Sequence, residues 1–131
     1  MTTILLSIKS EYVRRIFSGE KKFEYRKRIP KKEIERIVIY ETSPKKRIVG
    51  VAEVSGIVSD SPMCLWNDTY KKSGISEKAY ISYFSDSNEA FAFVLGKITK
   101  LKKEYQLSEV GINQAPQSFV YLDEKQITIL E

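Results

Sequence analysis

Three charged residues that follow a glycine near the start of the chain have the types and the spacing that acid–base or anion chemistry requires. Lys21, Glu24 and Arg26 follow Gly19 within eight residues. A lysine and a carboxylate can exchange a proton, and an arginine can hold a phosphate or a carboxylate through two parallel hydrogen bonds. Because Lys21 and Glu24 are an odd number of positions apart, they cannot share one face of an unbroken strand. We therefore predict that Lys21 lies in the turn after Gly19 or beside a β-bulge.

The same charges also fit a different interpretation. A lysine and a glutamate on an exposed edge strand keep that edge soluble and prevent it from pairing with other chains. In either case, a regular strand from Lys22 onward points Phe23 and Tyr25 toward a core. The charged side chains of Lys22, Glu24 and Arg26 then lie on the opposite face.

The apolar pattern predicts the elements that position this stretch. Residues 3–8 form a strand, and a helix capped by Ser10 follows, ended by Gly19. Its buried stripe consists of Tyr12, Val13, Ile16 and Phe17. Residues 37–40 form a strand buried on both faces and closed by Thr42-Ser43-Pro44. Residues 48–58 form a long strand, in which Gly50 and Gly56 permit the tight coiling of a small barrel.

The second half of the chain predicts two aromatic helices and further strands. Ser61-Pro62 and Ser76 begin the helices. Trp66 on the first helix is assigned to the core, with a role in lining a binding pocket as the alternative. Residues 89–98 form a strand, a lysine-rich turn follows, and residues 105–107 add a short strand. Residues 116–121 are predicted to be an apolar loop packed across the body.

The composition restricts the possible chemistry. The 131 residues fit one domain spanning residues 1–131, with no apolar segment of transmembrane length, and we expect a cytoplasmic protein. There is no histidine and one cysteine, Cys64, which excludes Ser-His-Asp and Cys-His catalysis and argues against a zinc site with the usual nitrogen and sulfur ligands. Neither a metal nor a cofactor is predicted. Cys64 is assigned as a small buried hydrophobe.

Positive charge is concentrated in the first half of the chain. Residues 1–50 contain 14 Lys and Arg against 6 Asp and Glu, whereas residues 51–131 contain 8 against 11. Basic side chains interleaved with aromatic ones are typical of surfaces that track phosphates and stack bases. A solvated, lysine-rich face is the alternative interpretation.

The motif Gly19-x-Lys21-x-x-Glu24-x-Arg26 resembles the GxKxxExR signature of the ASCH family. Further segments are similar to small prokaryotic and archaeal members in the same order along the chain: Leu5-Leu6-Ser7-Ile8-Lys9, the Ile-Val-Ile-Tyr strand with Thr42-Ser43-Pro44, Ile48-Val49-Gly50, Leu65-Trp66, Ser73-Gly74-Ile75, Tyr83-Phe84 and Pro116-Gln117-Ser118-Phe119. The resemblance implies an α+β fold, a PUA-like small mixed β-barrel with helices covering its openings. It also implies an RNA or nucleotide site beside the signature.

Two functions of different class remain open. The first is an RNA- or nucleotide-binding module whose cleft is lined by Lys21, Lys22, Glu24, Arg26, Thr42, Ser43, Trp66, Gln117 and Ser118. The second is a small hydrolase that acts on RNA or on a modified nucleoside, with Lys21 and Glu24 as its catalytic pair. Some ASCH relatives deacetylate N4-acetylcytidine with a lysine, a threonine and a glutamate. Lys21 matches that lysine, Glu24 stands where the threonine is expected, and Glu53 is a loose match to the glutamate.

Overall fold

A six-stranded mixed sheet forms the centre of the fold. The computed structural model describes residues 2–131, and its strands are β1 (Thr3–Ile8), β2 (Phe23–Arg26), β3 (Arg36–Glu41), β4 (Arg47–Asp60), β5 (Ala90–Tyr105) and β6 (Phe119–Leu122). Their order across the sheet is β2-β5-β4-β3-β1-β6. The pair β1 and β3 is parallel, and the other neighbouring strands are antiparallel. The predicted α+β barrel-like fold is confirmed, as a half-barrel.

Within residues 2–131, four α-helices accompany the sheet: α1 (Ser10–Ser18), α2 (Pro62–Thr69), α3 (Glu77–Tyr83) and α4 (Glu124–Leu130). The predicted caps of α2 and α3 are confirmed, because Ser61 Oγ accepts from the Cys64 amide and Ser76 Oγ from the Ala79 amide. The predicted cap of α1 is wrong. Ser10 is already helical, Lys9 is the capping residue, and its side chain makes no capping hydrogen bond. Among residues 2–131, no helix is long and apolar enough to cross a membrane.

Alternating side chains of the central strands fill two cores on opposite faces of the sheet. In β3, Ile37 and Ile39 belong to one apolar cluster, while Val38 and Tyr40 belong to another. This arrangement confirms a strand that is buried on both faces. Tyr25 joins a third cluster with side chains of α2 and α3, and Phe23 packs against it. The core-facing side of β2 is therefore as predicted.

Register shifts bend the longest strand pair. The pairing of β4 with β5 shifts between Ile48 and Gly50 and again between Val54 and Gly56. Gly50 and Gly56 thus lie at register shifts, which agrees with the prediction that these glycines let the strand coil tightly. A Cβ at Gly50 would lie 2.8 Å from the Phe17 ring, so the absence of a side chain lets α1 pack closely on the sheet.

Several predictions for the second half are wrong. β5 continues through the lysine-rich segment to Tyr105, which pairs with Ile48 of β4 across a register shift that follows the Gly50–Lys100 pair. The separate strand at 105–107 is therefore absent. Residues 119–121, the end of the loop predicted at 116–121, belong with Leu122 to β6, which pairs with the outer edge of β1. A strand forms there because the buried backbone groups of β1 need hydrogen-bond partners. Cys64 is exposed, because it lies on the outer side of α2 next to the buried Leu65.

Candidate functional site

The turn between α1 and β2 delivers Lys21 to the interior. Gly19 ends α1 with φ of 88°, a left-handed conformation that glycine adopts without steric cost. The chain then folds back so that the Lys21 amide donates to the Arg15 carbonyl at 2.9 Å. β2 begins at Phe23, so Lys21 precedes the strand, as the spacing predicts.

Lys21 is a buried cation with four neighbours. It is 3% exposed. Its Nζ donates to the Ser73 carbonyl at 2.8 Å and lies 3.9 Å from Glu24 Oε1. The same nitrogen is 5.2 Å from the centre of the Tyr12 ring and 4.9 Å from that of Tyr25. Burial lowers the pKa of Lys21 below its ordinary value, although the Glu24 carboxylate opposes that effect.

Glu24 connects Lys21 to Arg26. Nε and Nη2 of Arg26 donate to Glu24 Oε2 at 3.1 and 2.8 Å, and Nη2 also donates to the Ser7 carbonyl at 3.0 Å. Glu24 is 7% exposed, so its negative charge is compensated by two cations in a largely dehydrated position. Glu24 Oε1, which faces Lys21, makes no hydrogen bond within residues 2–131. That oxygen is thus free to accept a hydrogen bond or a proton from a ligand.

These charged groups form one wall of a cavity of about 440 Å³, which we call the signature cleft. Its lining comprises Ser7, Ile8, Lys9, Tyr12, Lys21, Glu24, Tyr25, Arg26, Ile75, Ala79, Ser82 and Tyr83. Tyr25 bonds through its hydroxyl to Thr69 at 2.7 Å, and burial raises its pKa to about 12, so the phenol stays neutral at physiological pH. Within the described residues, no group of three or more His, Cys, Asp or Glu is placed to hold a metal ion.

The structure brings three of the predicted site residues together and places the others outside the walls of the cleft. Lys21, Glu24 and Arg26 line it. Lys22 is exposed, and its backbone is held by Lys72 and Leu95. The Thr42 amide donates to the Ile8 carbonyl, which places Thr42 and Ser43 beside the end of β1. Gln117 and Ser118 are exposed, and the neighbouring Pro116 carbonyl accepts from Ser7 Oγ at 3.0 Å.

Trp66 and Glu53 line other cavities. Trp66 lies in a groove of about 460 Å³ between α2 and α3, with its ring 4.7 Å from that of Tyr80. It therefore lines a pocket, but not the signature cleft. Glu53 lies on β4 in a third cavity and is exposed. The loose match of Glu53 to a catalytic glutamate is consequently not supported by its position.

Sequence reasoning missed several residues that line the cleft. Tyr12 was assigned to the buried stripe of α1, yet it is half-buried and presents its ring to Lys21. Tyr83, which is 38% exposed, also lines the cleft. The signal for Tyr12 was present, because it begins the apolar stripe next to the hydrophilic face of α1. Ser7 and Tyr83 gave no such signal, since only the tertiary fold brings them to the signature.

The half-barrel sheet, its helices and the Lys21–Glu24–Arg26 cluster beside an open cleft define a small α+β domain of the PUA-like class. A family model described as the ASCH domain matches residues 6–111. The chain belongs to the ASCH domain family.

A relative and a solved structure from Zymomonas mobilis agree with this assignment. The chain is 34% identical over 122 residues to a Zymomonas mobilis protein named ASCH domain-containing ribonuclease, a match covering 90% of this chain and 82% of that one. The crystal structure of ASCH from Zymomonas mobilis superposes with a TM-score of 0.90 at 30% identity, covering 98% of this chain and 92% of that one. The chain is also 33% identical over 122 residues to a Ureaplasma parvum protein named ATP synthase subunit alpha. That match covers 92% of this chain but spans only 15% of the relative's length.

Proposed function

We propose that this protein is an RNA-binding module that holds one nucleotide in the signature cleft. The observation that carries the proposal is a buried ammonium at the wall of an open cavity, flanked by a carboxylate and by tyrosine rings. A cavity of about 440 Å³ lies in the size range of small-molecule and cofactor sites. RNA-binding proteins commonly read single, unstacked bases between aromatic rings and polar groups.

The side chains of the cleft suit the parts of a nucleotide. Lys21 has three N–H donors and uses one on Ser73, so it can donate to a base carbonyl or a phosphate oxygen. Glu24 Oε1 can accept from an amino or imino group of the base. The rings of Tyr12 and Tyr83 offer surfaces for stacking, which is worth roughly 1–3 kcal/mol per base. Because RNA is the proposed partner, we also propose the cytoplasm as the protein's location.

A second candidate function is ribonuclease activity, which the lowered pKa of Lys21 favours. In such a reaction, Glu24 Oε1 takes the proton of a ribose 2′-hydroxyl. The 2′-oxygen then attacks the adjacent phosphorus, and the Lys21 ammonium donates a proton to the departing 5′-oxygen. A lysine of lowered pKa gives up its proton more readily at neutral pH. The relative from Zymomonas mobilis that is named a ribonuclease supports this candidate.

Deacetylation of a modified nucleoside is less well supported. Glu24 stands where the threonine of the acetylcytidine amidohydrolases is expected, and Glu53 lies outside the cleft. We therefore propose RNA, and not a free acetylated nucleoside, as the substrate of any hydrolytic activity.

The test compares the wild type with Lys21→Met, which removes the charge while keeping an apolar stem of similar size. Lys102→Met, at an exposed position on β5, is the control with the same change in net charge. We expect Lys21→Met to weaken the binding of a fluorescently labelled single-stranded RNA about tenfold or more, since charged hydrogen bonds contribute about 1.5–3 kcal/mol. Lys102→Met should retain most of the affinity. Equal affinity of both variants and the wild type would refute the binding proposal.

Mass spectrometry of the same RNA after incubation separates the two candidates. If the protein cleaves the strand by the proposed route, wild type should leave ends with cyclic phosphates and Lys21→Met should not. Cleavage that persists in Lys21→Met contradicts the assignment of Lys21 as the acid. Intact RNA with Lys21-dependent binding supports the binding module alone.

A further inference from the structure

Another cavity adjoins the signature cleft along α1 and has no role in the function proposed above. This outer lobe, of about 710 Å³, is lined by Glu11, Tyr12, Arg15, Glu20, Lys71, Lys72, Gly74, Ile75, Ser76 and Ala79. It shares Tyr12, Ile75 and Ala79 with the cleft. The two cavities therefore meet at the Tyr12 ring, and a ligand longer than one nucleotide can extend from one into the other.

The charges of the outer lobe are unequally compensated. Arg15 bonds to the Gly74 carbonyl at 2.9 Å and pairs with Glu11 at 3.8 Å, and Glu20 accepts from Ser18. Lys71 and Lys72 are exposed and make no salt bridge within residues 2–131. Two cations thus remain available beside the cleft.

The backbone that carries these lysines is fixed against the signature. The Lys72 carbonyl accepts from the Lys22 amide at 2.8 Å, and the next carbonyl, of Ser73, accepts from Lys21 Nζ. The short 3₁₀ turn over Tyr70–Lys72 is therefore bonded to the signature through its last carbonyl, and its two lysines line the adjoining lobe. A basic lobe that is hydrogen-bonded to the residues of a base-sized site can bind the sugar–phosphate backbone next to that base.

We propose that the outer lobe holds the phosphate adjoining the nucleotide in the signature cleft, so that the ligand is a strand of at least two nucleotides. This inference rests on the proposed function and specifies its substrate. Lys71 and Lys72 contact the phosphate, and Tyr12 separates the two nucleotide positions. Arg15 and Gly74 hold the turn and make no contact with the strand.

The experiment measures the affinity of a nucleoside monophosphate, a dinucleotide and a hexanucleotide RNA at several salt concentrations. The double variant Lys71→Ala/Lys72→Ala is compared with the wild type and with Lys102→Ala/Lys103→Ala, which removes the same charge on β5. We expect the first double variant to bind the monophosphate as the wild type does and the hexanucleotide about tenfold more weakly. The slope of log affinity against log salt should fall by about 0.7, because each neutralised phosphate of a single strand contributes about 0.7.

The possible failures are distinguishable. If the wild type binds the hexanucleotide and Lys71→Ala/Lys72→Ala binds it equally well, the outer lobe is not part of the binding site, although the proposed function stands. The same conclusion follows if the two double variants lose affinity equally, or if the monophosphate and the hexanucleotide are affected alike. If the wild type binds no RNA of any length, both the inference and the proposed function are wrong.

Discussion

Lys21 is a charged residue whose side chain is almost completely removed from water. Lys21 is 3% exposed, so its ammonium loses its hydration, and the groups that compensate are one carbonyl, two aromatic faces and a carboxylate at 3.9 Å. Because Glu24 also binds Arg26 at 2.8 Å, its charge is shared between two cations. Desolvation therefore prevails over attraction, and the pKa of Lys21 falls. Such unfavourable placements are common at functional sites.

This placement predicts how stability depends on pH. The pKa of Lys21 is lower in the folded protein than in the unfolded chain, so between those two values the unfolded chain binds more protons and stability rises with pH. We expect the wild type to gain stability relative to Lys21→Met as the pH rises toward about 10, near the ordinary pKa of lysine. Urea unfolding followed by circular dichroism measures the difference.

The upper limit of that range avoids a second effect. The pKa of Tyr25 is raised to about 12, so above about pH 10 the unfolded tyrosines ionise first and destabilise both proteins. If the free energies of unfolding of the wild type and Lys21→Met differ by the same amount at every pH below that limit, the pKa of Lys21 is not lowered in the folded state.

The turn between α2 and α3 acts as a single element that holds the lysine in place. Gly74 has φ of 62°, and a Cβ there would overlap Lys21 Cβ and lie 2.7 Å from its Cγ. Arg15 donates to the Gly74 carbonyl from α1, and Ser73 supplies the carbonyl that accepts from Lys21. A glycine is thus required here both for backbone conformation and for space.

Gly74→Ala should destabilise the protein and displace Lys21. The left-handed conformation costs about 1–2 kcal/mol for a residue with a Cβ, and the overlap adds about 1–3 kcal/mol. Gly111→Ala is the matched control, because Gly111 has φ of 75° but no atom within 4 Å of a Cβ. Thermal unfolding gives the stability difference, and RNA affinity shows whether Lys21 has moved.

The expected outcome is a larger loss of both stability and affinity in Gly74→Ala than in Gly111→Ala. Equal effects of the two substitutions would mean that only backbone strain matters and that the turn does not position Lys21.

Elements whose patterns are local could be predicted from the sequence, and elements defined by their partners could not. The alternation of Phe23 and Tyr25 with charged residues predicts the orientation of β2, and Ser61-Pro62 predicts the start of α2. The lysines of β5 look like a turn because the sequence does not show that the strand continues past them and pairs Tyr105 with Ile48. Residues 119–122 become a strand only because β1 has a free edge.

The same distinction applies to the site. Lys21, Glu24 and Arg26 are neighbours in the sequence and were predicted together. Tyr83 and Ser7 line the cleft because of how α3 and β1 pack in the fold. Residue spacing in the sequence does not reveal this packing. Trp66 was expected in the cleft, but it lies in the groove between α2 and α3. Aromatic composition indicates that rings are available, whereas the fold determines which cavity each ring lines.

At the scale of the whole molecule, one sheet joins three apolar clusters. Residues of β1 contribute to the clusters on both faces, and β5 contributes to the first cluster through Phe93 and to the third through Ala92. Trp66 packs against the third cluster, whereas Leu5, which is fully buried, belongs to the second. Because the strands are shared, we expect residues 2–131 to unfold as one cooperative unit.

Leu5→Ala tests this expectation at a distance from the probe. Truncating a buried leucine costs about 2–5 kcal/mol, so the urea midpoint should fall. If the clusters are one unit, the fluorescence of Trp66 and the far-ultraviolet circular dichroism should shift to the same lower midpoint. Met63→Ala, an exposed residue of α2 close to Trp66, is the control and should leave both midpoints nearly unchanged.

A fluorescence midpoint that stays in place in Leu5→Ala while the circular dichroism midpoint falls would show that the region around α2 and α3 unfolds independently. The cleft would then lie between two separately stable units, since Lys21 is anchored to Ser73 on one side and to the end of α1 on the other.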